Sequence, residues 1–453
     1  MLRWIDRRVG SASWTRSALR KIFPDHWSFL LGEIALFSFV VLLITGIFLT
    51  MFFRPDQSEV VYLGPYKPLQ GHEVSAAYDS VLRLSFEIKL GMLMRQMHHW
   101  AALVFVAAIV VHMSRVFFTG AFRRPREINW LVGVTLVIMA LLMGFSGYSL
   151  PDDLLSGIGL RIAYSIMESI PFIGTWAAFL VFGGEYPTQD IISRLFVLHV
   201  MLIPWLLFAL IGLHLAILWH QKHTQFPGPG KRETNVVGKA FFPYQTLKST
   251  GLFLFTFAVI AFLGGLVQIN PVWLYGPYDP TQATVPSQPD WYMGWLEGTL
   301  RIFPNFEPTI FGVTIPNPLI PAVVLPGVVF TVLALWPWIE RWITKDTAEH
   351  HLLDTPRTAP VRFGFGVAGL TFMAIYMVAG ANDVVAIMTD IPVDYITWFF
   401  RITFFVLPPI AGYAGYKVAS DLARTGRHPF RPSRGVILTR NAEGGFGDPS
   451  GEH

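Results

Sequence analysis

Eight long apolar stretches constrain the fold of this chain more than any other feature of its sequence. A helix needs about 20 mostly apolar residues to cross about 30 Å of hydrocarbon. Stretches of this kind lie at 29–53, 97–118, 130–149, 191–219, 250–270, 319–339, 363–380 and 394–416. Only 14% of the 453 residues are charged, which is too few for an ordinary soluble surface. The sequence therefore predicts an all-α membrane protein with eight transmembrane helices.

The basic residues predict how these spans are oriented. Of the 34 lysines and arginines, 24 lie in the N-terminal segment, the even-numbered loops and the tail, and 9 lie on the opposite side. Cytoplasmic loops of membrane proteins carry the excess of Lys and Arg. We therefore expect a plasma-membrane protein with both termini in the cytoplasm. Three long connections should face outward, at 54–96, 150–190 and 271–318. The second contains a helical pattern broken at Pro171, and the third has the composition of an irregular loop.

Five parts are expected along the chain. Residues 1–28 have the pattern of an amphipathic helix on the membrane surface, with an apolar side formed by Trp4, Ile5, Trp14 and Leu19. The four other parts are a four-helix bundle at 29–220, a cytoplasmic linker at 221–249, a C-terminal four-helix part at 250–416 and a cytoplasmic tail at 417–453.

Four histidines recur at matched spacing in two of the spans. His98 and His112 are 14 residues apart in the second span, and His199 and His214 are 15 residues apart in the fourth. Fourteen residues are close to four helical turns, so each pair leaves nearly one face of its helix, about 21 Å apart along the axis. Because the two spans run in the same direction, His98 should face His199 in the outer half. His112 should likewise face His214 in the inner half.

Two imidazoles at each of two points suit a planar macrocycle with two axial ligands better than a tetrahedral metal ion. The chain contains no cysteine for a thioether link, so the sequence predicts two non-covalent b-type haems. Two glycine pairs in the first and third spans repeat the 14-residue interval and would let a macrocycle approach the backbone: Gly32, Gly46, Gly133 and Gly147. Arg95 and Arg115 lie three residues outside the histidines, where they would neutralise haem propionates.

With these residues, the chain resembles the cytochrome b subunit of quinol:cytochrome c oxidoreductase over almost its whole length. The matching motifs are Arg-x-x-His at 95–98, His-x-x-Arg at 112–115, Gly-Tyr-Ser-Leu-Pro at 147–151, Ile-Pro-x-Ile-Gly at 170–174 and Pro-Asp-Trp-Tyr at 289–292. The last is similar to the Pro-Glu-Trp-Tyr signature of the family's outer quinol pocket. The resemblance implies that the subunit oxidises quinol at an outer site and passes one electron through two haems. It then reduces quinone at an inner site, which contributes to the proton-motive force.

The resemblance also implies residues for both quinone sites. The outer pocket would use the catalytic set Asp290, Tyr292 and Tyr148, with Gly159 and Pro289 as further pocket residues. Asp290, the expected proton acceptor, replaces the family's glutamate and has an arm one methylene shorter. Its alternative role is to cap the helix that follows.

In the inner pocket, the family positions correspond to His220, Lys248 and Ser249. The family usually has an aspartate where Ser249 stands, and the interval from His214 to His220 is one residue longer than in the mitochondrial pattern. Other groups could therefore protonate the quinone, and the candidates are His26, Asp25, His223 and Lys248.

The lack of cysteine places any iron–sulfur centre and any c-type haem on partner chains. The resemblance implies a Rieske-type iron–sulfur subunit, a c-type cytochrome subunit and a homodimer within the complex, surrounded by lipid and quinone; no nucleic-acid partner is expected. The histidine spacings, the outer aspartate and the Phe-Pro-Gly-Pro-Gly turn at 226–230 look most like the actinobacterial branch. That branch implies menaquinol and a supercomplex with a terminal oxidase.

Two other interpretations of the histidines stay open at this point. The first is the membrane haem anchor of a dehydrogenase or hydrogenase, which would not need spans five to eight. The second is a transporter or channel in which intramembrane histidines relay protons.

Overall fold

The computed structural model describes residues 2–10, 12, 15, 18–282, 288–425, 439–440 and 446–447. Among these residues, eight helices are long and apolar enough to cross a membrane. We number them as spans 1–8: Trp27–Thr50, Gly91–Phe118, Glu127–Tyr148, Ile191–Gln221, Phe241–Leu266, Ile320–Thr344, Pro360–Ala379 and Val393–Thr425. The predicted all-α membrane fold with eight transmembrane helices is confirmed.

Several spans are longer than the apolar stretches that predicted them. Span 2 begins at Gly91 and so includes Arg95 and Gln96, and span 8 continues to Thr425. In an apolar medium every backbone N–H and C=O needs a hydrogen-bond partner within the helix, so the helix continues through the hydrocarbon into the polar interface. Charged side chains near the helix ends can reach water from there. Hydropathy alone therefore places the helix ends too close to the membrane centre.

Shorter elements occupy the connections. The short helices are Leu2–Val9, Ala76–Phe86, Leu154–Glu168, Gly174–Phe182, Val272–Tyr275, Trp291–Ile302 and Asn382–Thr389, with a 3₁₀ turn at Lys67–Leu69. Four antiparallel strand pairs join Ile22–Phe23 to Lys239–Ala240, Glu59–Val61 to Glu73–Ser75, Thr309–Ile310 to Val313–Thr314 and Thr439–Arg440 to Phe446–Gly447. The break predicted at Pro171 lies between two of the short helices.

The connection at 271–318 is more regular than its composition predicted. Its helix Trp291–Ile302 has an apolar side, and Trp295 and Ile302 pack into a buried cluster with Tyr376 of span 7 and Phe400 of span 8. Burial of this face stabilises a helix where the proline and glycine content indicated an irregular loop.

Spans 1–4 surround one shared core. Phe39, Phe105, Ala140 and Leu207, one from each span, belong to a single buried cluster that also contains Tyr292 from the outer connection. The first four spans therefore pack as a four-helix bundle, with part of the 271–318 connection inserted against it. Many apolar side chains on the outward faces are exposed, among them Trp205, Phe208, Phe255 and Phe405. Such faces are suited to contact lipid.

The predicted terminal segments are described only in part. The N-terminal segment forms the helix Leu2–Val9, in which Trp4 is exposed, and Leu19 is also exposed. The side chain of Ile5 and all of Trp14 lie outside the described residues. Span 8 ends within the predicted tail at Thr425, and most of the chain beyond it lies outside the described residues.

Candidate functional site

The four histidines of spans 2 and 4 pair by depth. The ring centroids of His98 and His199 are 6.2 Å apart with an interplanar angle of 70°, and those of His112 and His214 are 6.5 Å apart at 79°. Two imidazole nitrogens bound to one metal at about 2 Å, with ring centres about 1 Å further back, give centroids about 6 Å apart. Both pairs therefore have the separation of two axial ligands on one metal ion.

Each pair supplies only two ligands. Among the described residues, no group of three or more His, Cys, Asp or Glu side chains is placed to hold a metal ion. A structural zinc site needs four protein ligands and a catalytic one three. The pairs fit a metal whose remaining positions are occupied by a macrocycle.

A local π-helix in span 4 accommodates the longer histidine interval. Within Leu198–Leu202 the N–H of Ile203 donates to the carbonyl of Leu198, five residues earlier. A π-bulge inserts one extra residue into a helical turn, so the residues that follow keep the helix face that they would have without the insertion. The 15-residue interval from His199 to His214 consequently leaves both rings on one face, as the 14-residue interval does in span 2. Pro204, which has no N–H to donate, immediately follows Ile203.

The four predicted glycines face the histidines of their own depth. Gly32 faces His112, Gly46 faces His98, Gly133 faces His214 and Gly147 faces His199. The closest approach is at Gly147, where an added Cβ would clash with His199 Cε1 and would lie 2.9 Å from both ring nitrogens of His199. The glycines thus let the imidazoles lie against the backbone of the neighbouring span.

Hydrogen bonds orient the outer pair. The Nδ1 atom of His98 lies 2.9 Å from Thr45 Oγ1, and Nδ1 of His199 lies 3.0 Å from the carbonyl oxygen of Met143 and 3.2 Å from Ser146 Oγ. A metal-ligating histidine usually bonds to a backbone or polar group through its other ring nitrogen. These contacts engage Nδ1 and leave Nε2 of each outer histidine as the ring nitrogen that could bind a metal ion.

Two cavities contain the histidine pairs. The outer cavity has a volume of about 260 Å³ and is lined by His98, His199, Gly46, Gly147 and Arg95. The inner cavity has a volume of about 310 Å³ and is lined by His112, His214, Gly32, Gly133 and Arg115. The range for small-molecule sites is about 300–1,000 Å³, so the inner cavity lies at its lower end and the outer cavity lies just below it.

Arg95 and Arg115 have buried donors without partners. Nη1 of Arg95 donates to the carbonyl of Asn270 at 3.0 Å. In the part of the chain that the structure describes, Nε and Nη2 of both arginines are buried and have no hydrogen-bond partner. An unsatisfied buried guanidinium is costly, so each cavity favours a ligand with an acidic group at that end.

The outer cavity also contains Asp290, whose carboxylate has two side-chain partners. Asp290 Oδ1 lies 2.7 Å from His99 Nε2, and Oδ2 accepts the Tyr292 hydroxyl at 2.9 Å. Asp290 occupies the N-cap position of Trp291–Ile302, yet its side chain makes no capping hydrogen bond. The structure therefore favours a cavity role over the capping role. Burial, and then the Asp290 carboxylate, raises the pKa of Tyr292 well above its usual range, so this hydroxyl stays protonated.

The remaining outer candidates lie at different distances from the cavity. Tyr148 lines it, and Gly159 packs against the Tyr148 hydroxyl from the helix Leu154–Glu168. Gly159 and Pro289 are not among the described residues that line this cavity. Gly159 therefore contributes by leaving room for Tyr148.

The inner candidates separate into two groups. Lys248 lines the inner cavity, and its Nζ donates to Asp25 Oδ1 at 2.7 Å. Ser249 accepts a hydrogen bond at 3.2 Å from Nε2 of Gln245, which lines the cavity, whereas Ser249 is not among the described residues that line it. His220 is exposed and is not one of the described cavity-lining residues. Six residues beyond the inner ligand turn the helix by about 240°, which carries His220 to a different face.

The two other inner histidines line the cavity. Burial, followed by nearby Lys21 and Arg126, lowers the pKa of His223 to about 4. Burial, followed by Arg115, also lowers the pKa of His26. Both imidazoles are therefore neutral near pH 7 and are poor proton donors.

Two side chains were not assigned a role from the sequence. His99 follows His98, about 100° further around span 2, and so points toward Asp290. The doubled histidine was its only local signal. Glu33 lines the inner cavity beside Gly32, and its signal was an acidic residue within an apolar span.

A membrane-spanning four-helix bundle with two stacked histidine pairs defines the class of bis-histidine haem-binding membrane proteins. Comparisons with known proteins agree: residues 103–277 match the family described as cytochrome b(N-terminal)/b6/petB. The chain is 47% identical over 422 residues to the cytochrome bc1 complex cytochrome b subunit of Streptomyces coelicolor, covering 93% of this chain and 77% of that protein. It is 50% identical over 424 residues to the subunit of Mycobacterium tuberculosis, with the same two coverages.

A solved structure titled "Hyperthermophilic respiratory Complex III" has the same fold, with a TM-score of 0.67 and 23% identity, covering 92% of this chain and 100% of that chain. The chain belongs to the family of cytochrome b subunits of the cytochrome bc1 complex. The predicted family, its actinobacterial type and its place in quinol:cytochrome c oxidoreductase are confirmed. This membership sets aside the haem-anchor and transporter interpretations, and it implies b-type haem as a cofactor.

Proposed function

We propose that this subunit oxidises quinol in the outer cavity, passes one electron inward through two b-type haems and reduces quinone in the inner cavity. The observation that carries the proposal is the pair of imidazole separations, 6.2 Å and 6.5 Å, at two depths of one bundle. A b-type haem supplies reversible one-electron transfer at its iron. His98 with His199 would hold the outer haem, and His112 with His214 the inner one.

The arginines and glycines complete both haem sites. The unpartnered Nε and Nη2 donors of Arg95 and Arg115 would bind the propionates, which supply the acidic groups that these buried guanidinium groups require. The four glycines keep the imidazoles close to spans 1 and 3 and leave the space between each histidine pair for the macrocycle.

Asp290 would accept a proton from quinol in the outer cavity. Quinol oxidation releases two protons and two electrons, so a base close to the substrate lowers the barrier. Tyr292 donates to Oδ2 and thereby orients the carboxylate, while His99 holds Oδ1. Tyr148 would line the same substrate space. The short aspartate arm is thus held in the cavity by two partners.

Chain chemistry and family membership support proposals for the other partners and for the membrane placement. We propose, from family membership, a Rieske-type iron–sulfur subunit that takes the first electron and a c-type cytochrome subunit beyond it; this chain has no cysteine to hold either centre itself. We further propose a homodimer, a supercomplex with a terminal oxidase, and a plasma-membrane location with both ends of the eight-span unit cytoplasmic. Electron transfer across the full membrane works against about 2.3 kcal/mol per charge per 100 mV, so it contributes to proton-motive force.

Single replacement of the four histidines tests the haem assignment. We expect His98→Ala and His199→Ala to remove the outer haem signal from reduced-minus-oxidised spectra, and His112→Ala and His214→Ala to remove the inner one. His72→Ala, at an exposed histidine of the outer connection, is the matched control and should retain both. A folded wild-type complex in which this chain holds no haem would refute the proposal.

Replacement of Asp290 tests the outer site. Asp290→Asn should slow quinol oxidation by about 10²-fold or more, the lower end for loss of a positioned base, and alter its pH profile without loss of haem. Asp394→Asn, at an exposed position where span 8 begins, should leave the rate unchanged. An unaltered rate and pH profile for Asp290→Asn would show that another group accepts the proton.

A further inference from the structure

The inner cavity contains a carboxyl group where the sequence indicated that one was missing. The family usually has an aspartate at the position of Ser249, but Glu33 of span 1 is hydrogen-bonded within the same cluster. Glu33 Oε1 accepts from Gln245 Nε2 at 2.8 Å, and Gln245 Nε2 also donates to Ser249 Oγ at 3.2 Å. Glu33 and Gln245 are 212 residues apart in sequence, so span 1 brings a carboxyl group close to Ser249, the position of the family's aspartate.

The second carboxyl oxygen of Glu33 is available to a ligand. Oε2 is buried and has no hydrogen-bond partner among the residues that the structure describes. Glu33 lines the inner cavity together with His112, and it directly follows Gly32, whose missing Cβ lets His112 approach span 1. A buried carboxyl oxygen without a partner is unfavourable, so this atom favours a donor or acceptor from a bound molecule. The Glu33 carboxyl group and the inner histidine pair therefore share one cavity.

The neighbouring groups make Glu33 the strongest candidate for proton donation. The other charged or titratable residues on this cavity are His26, His112, Arg115, Arg126, His214, His223 and Lys248. His26 and His223 are neutral near pH 7 because burial lowers the pKa of each. Lys248, which lines the cavity, is paired with Asp25, and both side chains are partly exposed.

We propose that Glu33 is the proton donor of the inner quinone site, acting in place of the family's aspartate. This inference rests on the proposed function, which supplies quinone as substrate and a reduced b-type haem as the source of electrons. Conversion of quinone to quinol takes two electrons and two protons. Glu33 gives one proton to the quinone carbonyl oxygen nearest Oε2, becomes a carboxylate and is reprotonated from the cytoplasmic side. The other proton comes from water at the Lys248–Asp25 end of the cavity.

Rapid mixing of the pre-reduced complex with a water-soluble quinone tests this role. The complex is purified with its partner subunits, and reoxidation of the inner haem is followed at several pH values. Glu33→Gln keeps an acceptor for Gln245 but carries no acidic proton. We expect it to slow reoxidation by about 10²-fold and to flatten the pH dependence, with unchanged haem content. The double variant Glu33→Gln with Ser249→Asp returns a carboxyl group to the family position and should restore much of the rate.

The controls separate this role from a structural one. Asp421→Asn, at an exposed acid in the last turns of span 8, should behave as wild type. In redox-induced infrared difference spectra, a carboxyl band should be lost in Glu33→Gln and kept in Asp421→Asn. If Glu33→Gln reoxidises at the wild-type rate and pH dependence, or keeps the infrared band, this inference is overturned while the proposed function stands. If the wild-type complex itself does not reoxidise on adding quinone, the proposed function fails.

Discussion

Alanine substitution of the four glycines should affect the haem sites in an order set by the local space. At Gly133 a new Cβ would lie 3.7 Å from His214 Cε1, which is an ordinary contact. At Gly32 and Gly46 the nearest imidazole atom would be 3.2 Å away, so the ring must move by a few tenths of an ångström. At Gly147 the Cβ would lie 2.9 Å from two ring nitrogens, which only displacement of the imidazole can relieve.

Two opposing contributions set the magnitudes. Replacing glycine by alanine within a helix stabilises it by about 1 kcal/mol, whereas overpacking costs about 1–3 kcal/mol. Gly133→Ala should therefore be neutral or stabilising by up to about 1 kcal/mol. Gly32→Ala and Gly46→Ala should show near cancellation, with a small shift in haem potential. Gly147→Ala should be destabilising by about 1–2 kcal/mol and should reduce outer haem occupancy, because His199 is displaced.

The assay combines reduced-minus-oxidised spectra, redox titration and thermal melting of the purified complex. Gly133→Ala serves as the matched control, since it makes the same chemical change at the same type of position. The reasoning fails if Gly133→Ala loses as much haem as Gly147→Ala, or if Gly147→Ala alters the inner haem and leaves the outer one intact.

Three further predictions concern single side chains. Tyr292→Phe removes the hydroxyl that orients Asp290, so quinol oxidation should fall about tenfold with intact haem spectra, and an unchanged rate would contradict this. Burial raises the pKa of Asp153 from 3.8 to about 6, so the folded state binds this proton more tightly. Stability should decline by up to about 3 kcal/mol as pH rises from about 4 to 6, and Asp153→Asn should remove that slope in melting curves. Arg362→Met removes the guanidinium group that pairs with the largely buried Glu340 and with Asp354, and it should cost about 3–5 kcal/mol, which Glu340→Gln in the same chain should partly recover in a melting assay.

The arrangement within single helices was largely predictable. The eight apolar stretches depend only on membrane thickness, and the histidine and glycine intervals depend only on the helical repeat. His98, His112, His199 and His214 could therefore be assigned to pairs before any packing was known. The π-helix at Leu198–Leu202 was not anticipated, although the extra residue between the fourth-span histidines and Pro204 were its signals.

Contacts between residues on helices that are distant in the sequence could not be predicted as well. His99 meets Asp290 across 191 residues, and Glu33 meets Gln245 across 212. His220 was expected near the inner quinone but lies exposed on span 4. Each of these outcomes depends on how a helix is rotated about its own axis, which side-chain packing with its neighbours decides.

The membrane class, the eight spans and the depth of both histidine pairs could be predicted from periodicity along the chain, and the family could be predicted from the motifs that it resembles. The side chains that complete the two cavities could be seen only in the folded protein: Asp290 lies between His99 and Tyr292 in the outer cavity, and Glu33 lies beside Gln245 in the inner one. These groups come from separate helices, and their approach is set by the rotation and packing of those helices rather than by any local pattern.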